Sequence, residues 1–246
     1  MIDWDLAERV GSAVAGGADG EGAAPLPGDL VAMADGARER VVAYTRLTPV
    51  RELPPPEAVD RPEWLRSNLQ TMRGTLDPLL SKATSGTGPM AGPLRAAGGA
   101  LIAAEVGGIV GFLSRHVLGQ YELALLDATQ PPRLLLVTPN LREAAAGMGA
   151  ELDELLPWVV FHEVTHAVQF AGVPWLQEHL AGMLRELLDS VQVKVDPGAL
   201  LKLPSVDDLR GLWDSVRDGG LVTAVAGPER KALLDRLQAT MALVEG

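Results

Sequence analysis

Residues 158–170, WVVFHEVTHAVQF, place three polar side chains inside an apolar run. His162 and His166 are four residues apart, so on a helix they lie on the same face, one turn from each other. Glu163 directly follows the first histidine. Burying two imidazoles and a carboxylate without partners is costly in free energy. The segment therefore predicts a central helix whose polar side chains share a bound ion.

The pattern His-Glu-x-x-His predicts a zinc site, because two imidazoles on adjacent turns can bind one Zn²⁺. In this interpretation His162 and His166 are metal ligands. Glu163 is the general base, which takes a proton as a zinc-activated water attacks an amide or ester carbonyl. The alternative is a chance match whose histidines are hydrogen-bonded in the core.

A catalytic zinc usually has three protein ligands, and the helix that follows offers two candidates. We favour His179, because three of the four histidines then fall within eighteen residues, on two helices joined by the turn 172–174. Glu186 lies on the same face, seven residues later, and is the alternative ligand or orients a ligand by hydrogen bonding. A histidine on the helix surface is the structural alternative for His179. No histidine follows within the two turns after His166, which excludes the metzincin pattern.

Two other side chains are candidate hydrogen-bond donors to an oxyanion. They are His116, in Ser-Arg-His, and Tyr121, in Gly-Gln-Tyr. Ordinary structural roles are the alternative for both. The apolar run 132–140 is a candidate edge strand for an extended substrate, with a core strand as the alternative.

The composition favours helices packed closely through small residues, since 47% of the chain is hydrophobic but only 4% is aromatic. The formal net charge is −11 and no basic block stands out, so nucleic acid and anionic membrane surfaces are unfavourable partners. The absence of cysteine excludes disulfides and thiolate ligands. Any metal must be bound by His, Asp or Glu.

Hydrophobic periodicity predicts a mainly α (α+β) fold. Helices are expected at 2–15, 29–44, 62–80, 96–113, 141–156, 158–170, 174–193, 206–218 and 229–246. The apolar runs 121–127 and 132–140 predict a small antiparallel β element. The histidine-bearing helix is expected at the centre, packed among the other helices and buried nearly all round. Pro157 is suited to its first turn and Gly172 to its end.

The segment 96–113, AAGGALIAAEVGGIVGFL, is long enough to suggest a membrane span. Glu105 lies near its middle, and closely spaced glycines and alanines are also typical of a tightly packed core helix, which we favour. The N-terminus, MIDWDLAERV, lacks the basic start of a signal peptide. We therefore expect a cytoplasmic location and no stable membrane insertion.

Several blocks of the sequence resemble a bacterial zincin-like family of inferred hydrolases, one branch of which is associated with biosynthesis of the deazaflavin coenzyme. The blocks are MIDWDLAERV, YTRL, VDRPEWLRSNL, SRHVLGQYEL, LLLVTPNL and WVVFHEVTHAVQFAGVPWL. The last of them is the most specific. The resemblance implies a single zincin-like domain over 1–246, with an N-terminal helical part at about 1–118 and a metal-site part at about 119–246.

The resemblance also bears on the C-terminus. Members of the family continue beyond the point that matches TMALVEG, so a shortened or incomplete C-terminal part is expected. On this resemblance Glu245, near the family's Glu-Gly pair, is a minor candidate ligand.

The sequence thus predicts a zinc-dependent hydrolase of the metallopeptidase type, acting on an unknown peptide or small-molecule substrate. The alternative is a non-catalytic zincin-like scaffold, with a structural zinc, that binds a partner or small molecule. Coordination distinguishes the two, because three protein ligands and an open position favour catalysis, whereas four protein ligands favour a structural site.

Overall fold

A computed structural model describes residues 2–16, 25–83, 91–127, 130–190 and 228–245. The helices in these ranges are α1 (Trp4–Ala15), α2 (Leu30–Thr45), α3 (Arg61–Ala83), α4 (Ala91–Leu113), α5 (Thr138–Met148), α6 (Leu152–Gly172), α7 (Pro174–Ser190) and α8 (Pro228–Glu245). The strands are β1 (Pro56–Val59), β2 (Gly119–Glu122) and β3 (Arg133–Val137). The mainly helical prediction is confirmed, and the helix predicted at 206–218 lies outside the described residues.

The described strands form one mixed sheet in the order β1-β3-β2. β2 and β3 pair antiparallel, as predicted. β1 adds a parallel strand on the other side of β3. This strand was not predicted, because three prolines precede Glu57 and proline disfavours a strand. β3 is therefore central in the described sheet, which agrees with the core-strand alternative and not with the candidate edge strand. The edge strand beside the histidine helix is β2.

The segment 141–156, predicted as one helix, contains the end of α5 and the start of α6, with Gly149 between them. Gly149 has a positive φ of 65°, and its N–H reaches the carbonyls at the end of α5, which is the usual way for glycine to end a helix. α6 then begins at Leu152, so Pro157 lies inside this helix and not in its first turn. α6 ends at Gly172, as predicted.

One face of α6 is packed in the core and the other is open. Val160, Val164 and Val168 are buried in a cluster with β3 residues such as Leu134. Trp158, by contrast, is 75% exposed. The prediction of a helix buried nearly all round was therefore wrong, because the histidine face of α6 borders a cleft.

Glycines allow α1 and α4 to cross at very short distance. A Cβ at Gly107 would overlap the backbone of Ala7, and a Cβ at Gly111 would overlap the backbone of Gly11. α4 is thus a packed helix built from small residues, as favoured for the segment 96–113. Among the described residues, no helix is long and apolar enough to cross a membrane.

We expect Gly107→Ala to destabilise the protein by about 2 kcal/mol or more, since a new methyl group would have to displace backbone atoms of α1. Gly108→Ala is the matched control on the same helix, because a Cβ there meets nothing within 4 Å. The control should be neutral or stabilise by roughly 0.5–1 kcal/mol. Urea unfolding of both variants measures this, and equal stabilities would contradict the close crossing.

Candidate metal centre

His162 and His166 point their ring nitrogens at the same place. The two Nε2 atoms are 3.1 Å apart, and the rings stand nearly perpendicular, at 89°. The His162 side chain is 55% exposed and that of His166 is 12% exposed. The helical spacing therefore produces the predicted pair, with one ligand at the mouth of the cleft and the other deeper.

The third ligand-type group at this point is Glu245, at the end of α8. Its Oε2 lies 3.7 Å from Nε2 of His162 and 3.6 Å from Nε2 of His166. The preceding residue, Val244, is buried in a small cluster with Leu180 of α7. The docking of α8 on α7 therefore sets the position of the Glu245 carboxylate.

The donor set fits a zinc ion. Ligand atoms about 2.1 Å from a tetrahedral zinc are about 3.4 Å from one another, and the three atoms here are 3.1–3.7 Å apart. Two imidazoles and a carboxylate are a known ligand set of catalytic zinc. Within the described ranges, no fourth His, Cys, Asp or Glu joins this group.

His166 is held in the form that binds a metal. Burial lowers the pKa of the His166 imidazole, and the neighbouring His162 lowers it further, whereas the charge of Glu245 opposes this shift. A neutral imidazole offers a free lone pair on one nitrogen. No proton has to be expelled from His166 when a cation binds near neutral pH.

Glu163 contacts the edge strand β2 and is not one of the three ligand-type groups. Its side chain is buried, and its Oε2 accepts a hydrogen bond of 2.8 Å from the backbone N–H of Tyr121. Burial raises the pKa of the Glu163 carboxyl to about 7; the Tyr121 hydrogen bond opposes this, and the charge of Glu245 adds to it. The carboxyl is therefore fixed beside the ligands without being one of them.

Gly119 on β2 provides the space for Glu163. A Cβ at Gly119 would lie 2.7 Å from Cγ and 2.9 Å from Oε1 of Glu163, and 3.0 Å from a methyl group of Val159. Only glycine allows the strand to approach α6 so closely. This residue had no signal in the sequence analysis, because the contact joins two elements distant along the chain.

We expect Gly119→Ala to reduce hydrolytic turnover by about 100-fold, because small misplacements of a reacting group carry costs of this order. Zinc content should be unchanged, since the new methyl group is directed at Glu163 and not at the ligands. Gly147→Ala on α5 is the control, as its Cβ meets nothing within 4 Å. A Gly119→Ala variant with normal turnover would show that Glu163 does not need this position.

The structure does not bring His179 to the cluster. His179 lies on α7 in a separate surface depression, together with Glu186 and Arg236, and its ring meets Trp175 edge-on, with centroids 5.9 Å apart. Proximity in sequence favoured His179, but Glu245 at the end of α8 is the third ligand-type group beside the two histidines. Glu186, the alternative candidate, lies in the same separate depression.

Of the two predicted oxyanion donors, one lies in the cleft and the other does not. His116 is exposed and forms a 2.8 Å hydrogen bond between its Nδ1 and the carbonyl oxygen of Phe112, away from the cleft. Tyr121 lines the cleft together with the metal-ligand candidates. Its hydroxyl lies 3.3 Å from Nη2 of Arg51. Because Arg51 is the donor in that contact, the Tyr121 hydrogen is free to be donated elsewhere.

The cleft over the cluster has a volume of about 670 Å³. The two histidines, Glu163 and Glu245 lie on its surface, and β2 forms one wall. Small-molecule sites in proteins have volumes of about this size. The ligand cluster is therefore open to a compound of moderate size.

A histidine pair on a central helix, a buried glutamate beside it and a glutamate from a later helix define a zincin-type metal centre. The sequence matches the family of zincin-like metallopeptidases over residues 2–246, and the chain belongs to that family. Members of this class typically hold a zinc ion, and His162, His166 and Glu245 are the described residues placed to hold one here.

One solved structure is similar, a crystal structure from Chloroflexus aurantiacus described as "a putative hydrolase with a novel fold". The identity is 22%, the TM-score is 0.61, and the match covers 100% of this chain and 66% of that one. The likeness shows a shared fold, and this chain spans slightly less than two thirds of that protein. No curated protein matches the sequence.

Proposed function

We propose that the protein is a zinc-dependent hydrolase of the metallopeptidase type, which cleaves an amide or ester bond. The observation that supports this most is the ligand triangle of His162, His166 and Glu245, with the carboxylate of Glu163 fixed beside it. Three protein ligands leave a coordination position open, as a catalytic zinc requires. Membership of the metallopeptidase family agrees with this proposal.

The metal ligands and Glu163 have different roles in the proposed hydrolysis. When bound, zinc supplies a Lewis acid that polarises a carbonyl group and lowers the pKa of water. Glu163 takes the proton of the attacking water and delivers it to the leaving group. Because the N–H of Tyr121 holds Oε2 of Glu163, Oε1 is the atom that exchanges this proton.

Tyr121 has a second role in this proposal. Its phenol lines the cleft and is held by Arg51 at 3.3 Å, which leaves the hydroxyl hydrogen to stabilise an oxyanion. Burial raises the pKa of the Tyr121 phenol, with the positive charge of Arg51 opposing the shift. The hydroxyl is therefore protonated, and a donor, at neutral pH.

The proposed substrate is a peptide or small molecule. The net charge of −11 argues against nucleic acid as a partner and against an anionic membrane surface. The cytoplasmic location and the association with deazaflavin coenzyme biosynthesis stay predictions.

Metal analysis combined with turnover tests the proposal. The purified full chain should bind one zinc ion, and a mixed panel of fluorogenic peptides and esters should be hydrolysed by the zinc-loaded protein but not after chelation. One equivalent of zinc should restore the rate. If zinc does not bind in stoichiometric amount, the hydrolase and the structural-zinc scaffold both fail. If zinc binds with four protein ligands and no substrate is cleaved, the scaffold alternative replaces the hydrolase.

A further inference from the structure

On both α6 and α8, a large, exposed apolar residue lies one turn before a metal-ligand candidate. Trp158 precedes His162 by four residues on α6 and is 75% exposed; Met241 precedes Glu245 by four residues on α8 and is 40% exposed. Residues four apart lie on one helical face. Both side chains line the same cleft as the ligands. The ligand triangle is thus bordered by exposed apolar surface on two sides.

The rest of the cleft wall continues this apolar surface. Leu123 and Leu125 follow the edge strand β2, and Phe170, stacked on Tyr121 with centroids 5.9 Å apart, closes the wall on α6. An exposed apolar surface inside a concave site is typical of ligand binding, whereas single exposed apolar side chains elsewhere need no explanation.

Apart from a bound zinc ion, the charged side chains on the cleft surface are acidic. Glu163 and Glu245 are the carboxylates on its surface, and among the described residues that line it there is no lysine or arginine. The whole chain carries a formal charge of −11. An anionic tail packed against Trp158 and Met241, away from the metal, would lose its hydration and find no cationic side chain among the described lining residues.

We infer that the substrate carries an apolar, uncharged acyl group, which packs between Trp158 and Met241 while its carbonyl lies at the metal centre. This inference rests on the proposed function, because it takes the ligand triangle as the place of the carbonyl. It predicts that a carboxylate or phosphate in the group that packs against Trp158 and Met241 weakens binding. The acyl group can be an amino-acid residue of a peptide or an alkyl chain.

Four hydroxamic acids test the inference, because the hydroxamate group binds zinc and the remainder then probes the cleft. Acetohydroxamic acid has almost no tail, and octanohydroxamic acid has an alkyl tail. The hydroxamate of N-acetylphenylalanine has a peptide-like apolar group, and suberic acid monohydroxamate ends its tail in a carboxylate. Calorimetric titration of the zinc-loaded full chain gives each Kd, and metal analysis after the titration checks that zinc has stayed in place.

We expect the apolar probes to bind at least about tenfold more tightly than acetohydroxamic acid, since each buried methylene contributes to affinity. The carboxylate tail should lose most of this gain. A larger gain for the phenylalanine probe would indicate a peptide, and a larger gain for the octanoyl probe an alkyl chain. Equal affinities for all four probes, or a carboxylate tail as good as the octanoyl tail, would overturn the inference.

Alanine variants of the two cleft residues test where the apolar tail of the probe binds. Trp158→Ala and Met241→Ala should each reduce the gain from the apolar tail by about three- to tenfold, in line with the loss of buried apolar area. Trp175→Ala is the matched control, because Trp175 is 64% exposed but lines the separate depression on α7. A gain that survives both cleft variants, or that Trp175→Ala also removes, would contradict the proposed packing.

The same titrations separate a failure of this inference from a failure of the proposed function. If acetohydroxamic acid does not bind, or binds equally with and without zinc, the metal centre itself is not available to a ligand and the proposed function fails. If it binds only with zinc but the tails make no difference, the metal centre stands and only the substrate class is wrong.

Discussion

Glu163→Gln should retain zinc at the stoichiometry of the parent protein and lose hydrolytic turnover by about 10²–10⁴-fold, the usual contribution of a general base. The amide has the size of the carboxyl group and can still accept the hydrogen bond from the N–H of Tyr121. It cannot take up a proton from water. The measurement is kcat for the fastest substrate of the panel, together with the zinc content of the same preparation.

Glu154→Gln is the matched control for this variant. Glu154 is an exposed glutamate on the same helix, α6, in the first turn. It should keep the parent's turnover and zinc content. Retained activity in Glu163→Gln would remove Glu163 from the mechanism. Loss of zinc together with activity would mean that Glu163 supports the metal and not only the proton transfer.

Glu245→Ala should release zinc, because it removes one of three ligands and leaves only the histidine pair. Loss of a residue that only hydrogen-bonds to a zinc ligand lowers zinc affinity by ~10–100-fold. We expect the loss of Glu245, a ligand itself, to lower zinc affinity by more than this. Competition with a chromogenic chelator measures this. The fold should persist, since Glu245 is 57% exposed and the packing of α8 depends on neighbouring side chains such as Val244.

His179→Ala and Glu186→Ala are the decisive comparisons for the third ligand. Both residues lie in the depression on α7 and should leave zinc affinity unchanged. If His179→Ala released zinc while Glu245→Ala did not, the ligand favoured by the sequence would be restored. The position of α8 would then have no part in the metal centre.

The central pair was predictable because its geometry is local. Helical spacing alone brings His162 and His166 together. Glu163 directly follows His162, so its place beside the ligands was also predictable. Glu245 depends on how α8 docks against α7, through contacts such as Val244 with Leu180, which no local pattern encodes. The resemblance named Glu245 only as a minor candidate, and proximity along the chain favoured His179 instead.

Exposure was harder to predict than secondary structure. The apolar run of α6 suggested burial nearly all round, but Trp158 is exposed, because this face of α6 borders the cleft. Similarly, the antiparallel pair β2 and β3 was predicted, whereas the parallel strand β1 was hidden by its prolines. The close approach of Gly119 to Glu163 depends on the position of β2 against α6, and sequence periodicity carries no information about that contact.

The most direct test of the proposed metal centre is a crystal structure of the zinc-loaded full chain, with anomalous diffraction measured at the zinc absorption edge. We expect one strong anomalous peak in contact with Nε2 of His162, Nε2 of His166 and the carboxylate of Glu245, with a further position open to solvent and Glu163 beside it. A peak bound by His179, or one enclosed by four protein ligands, would contradict it.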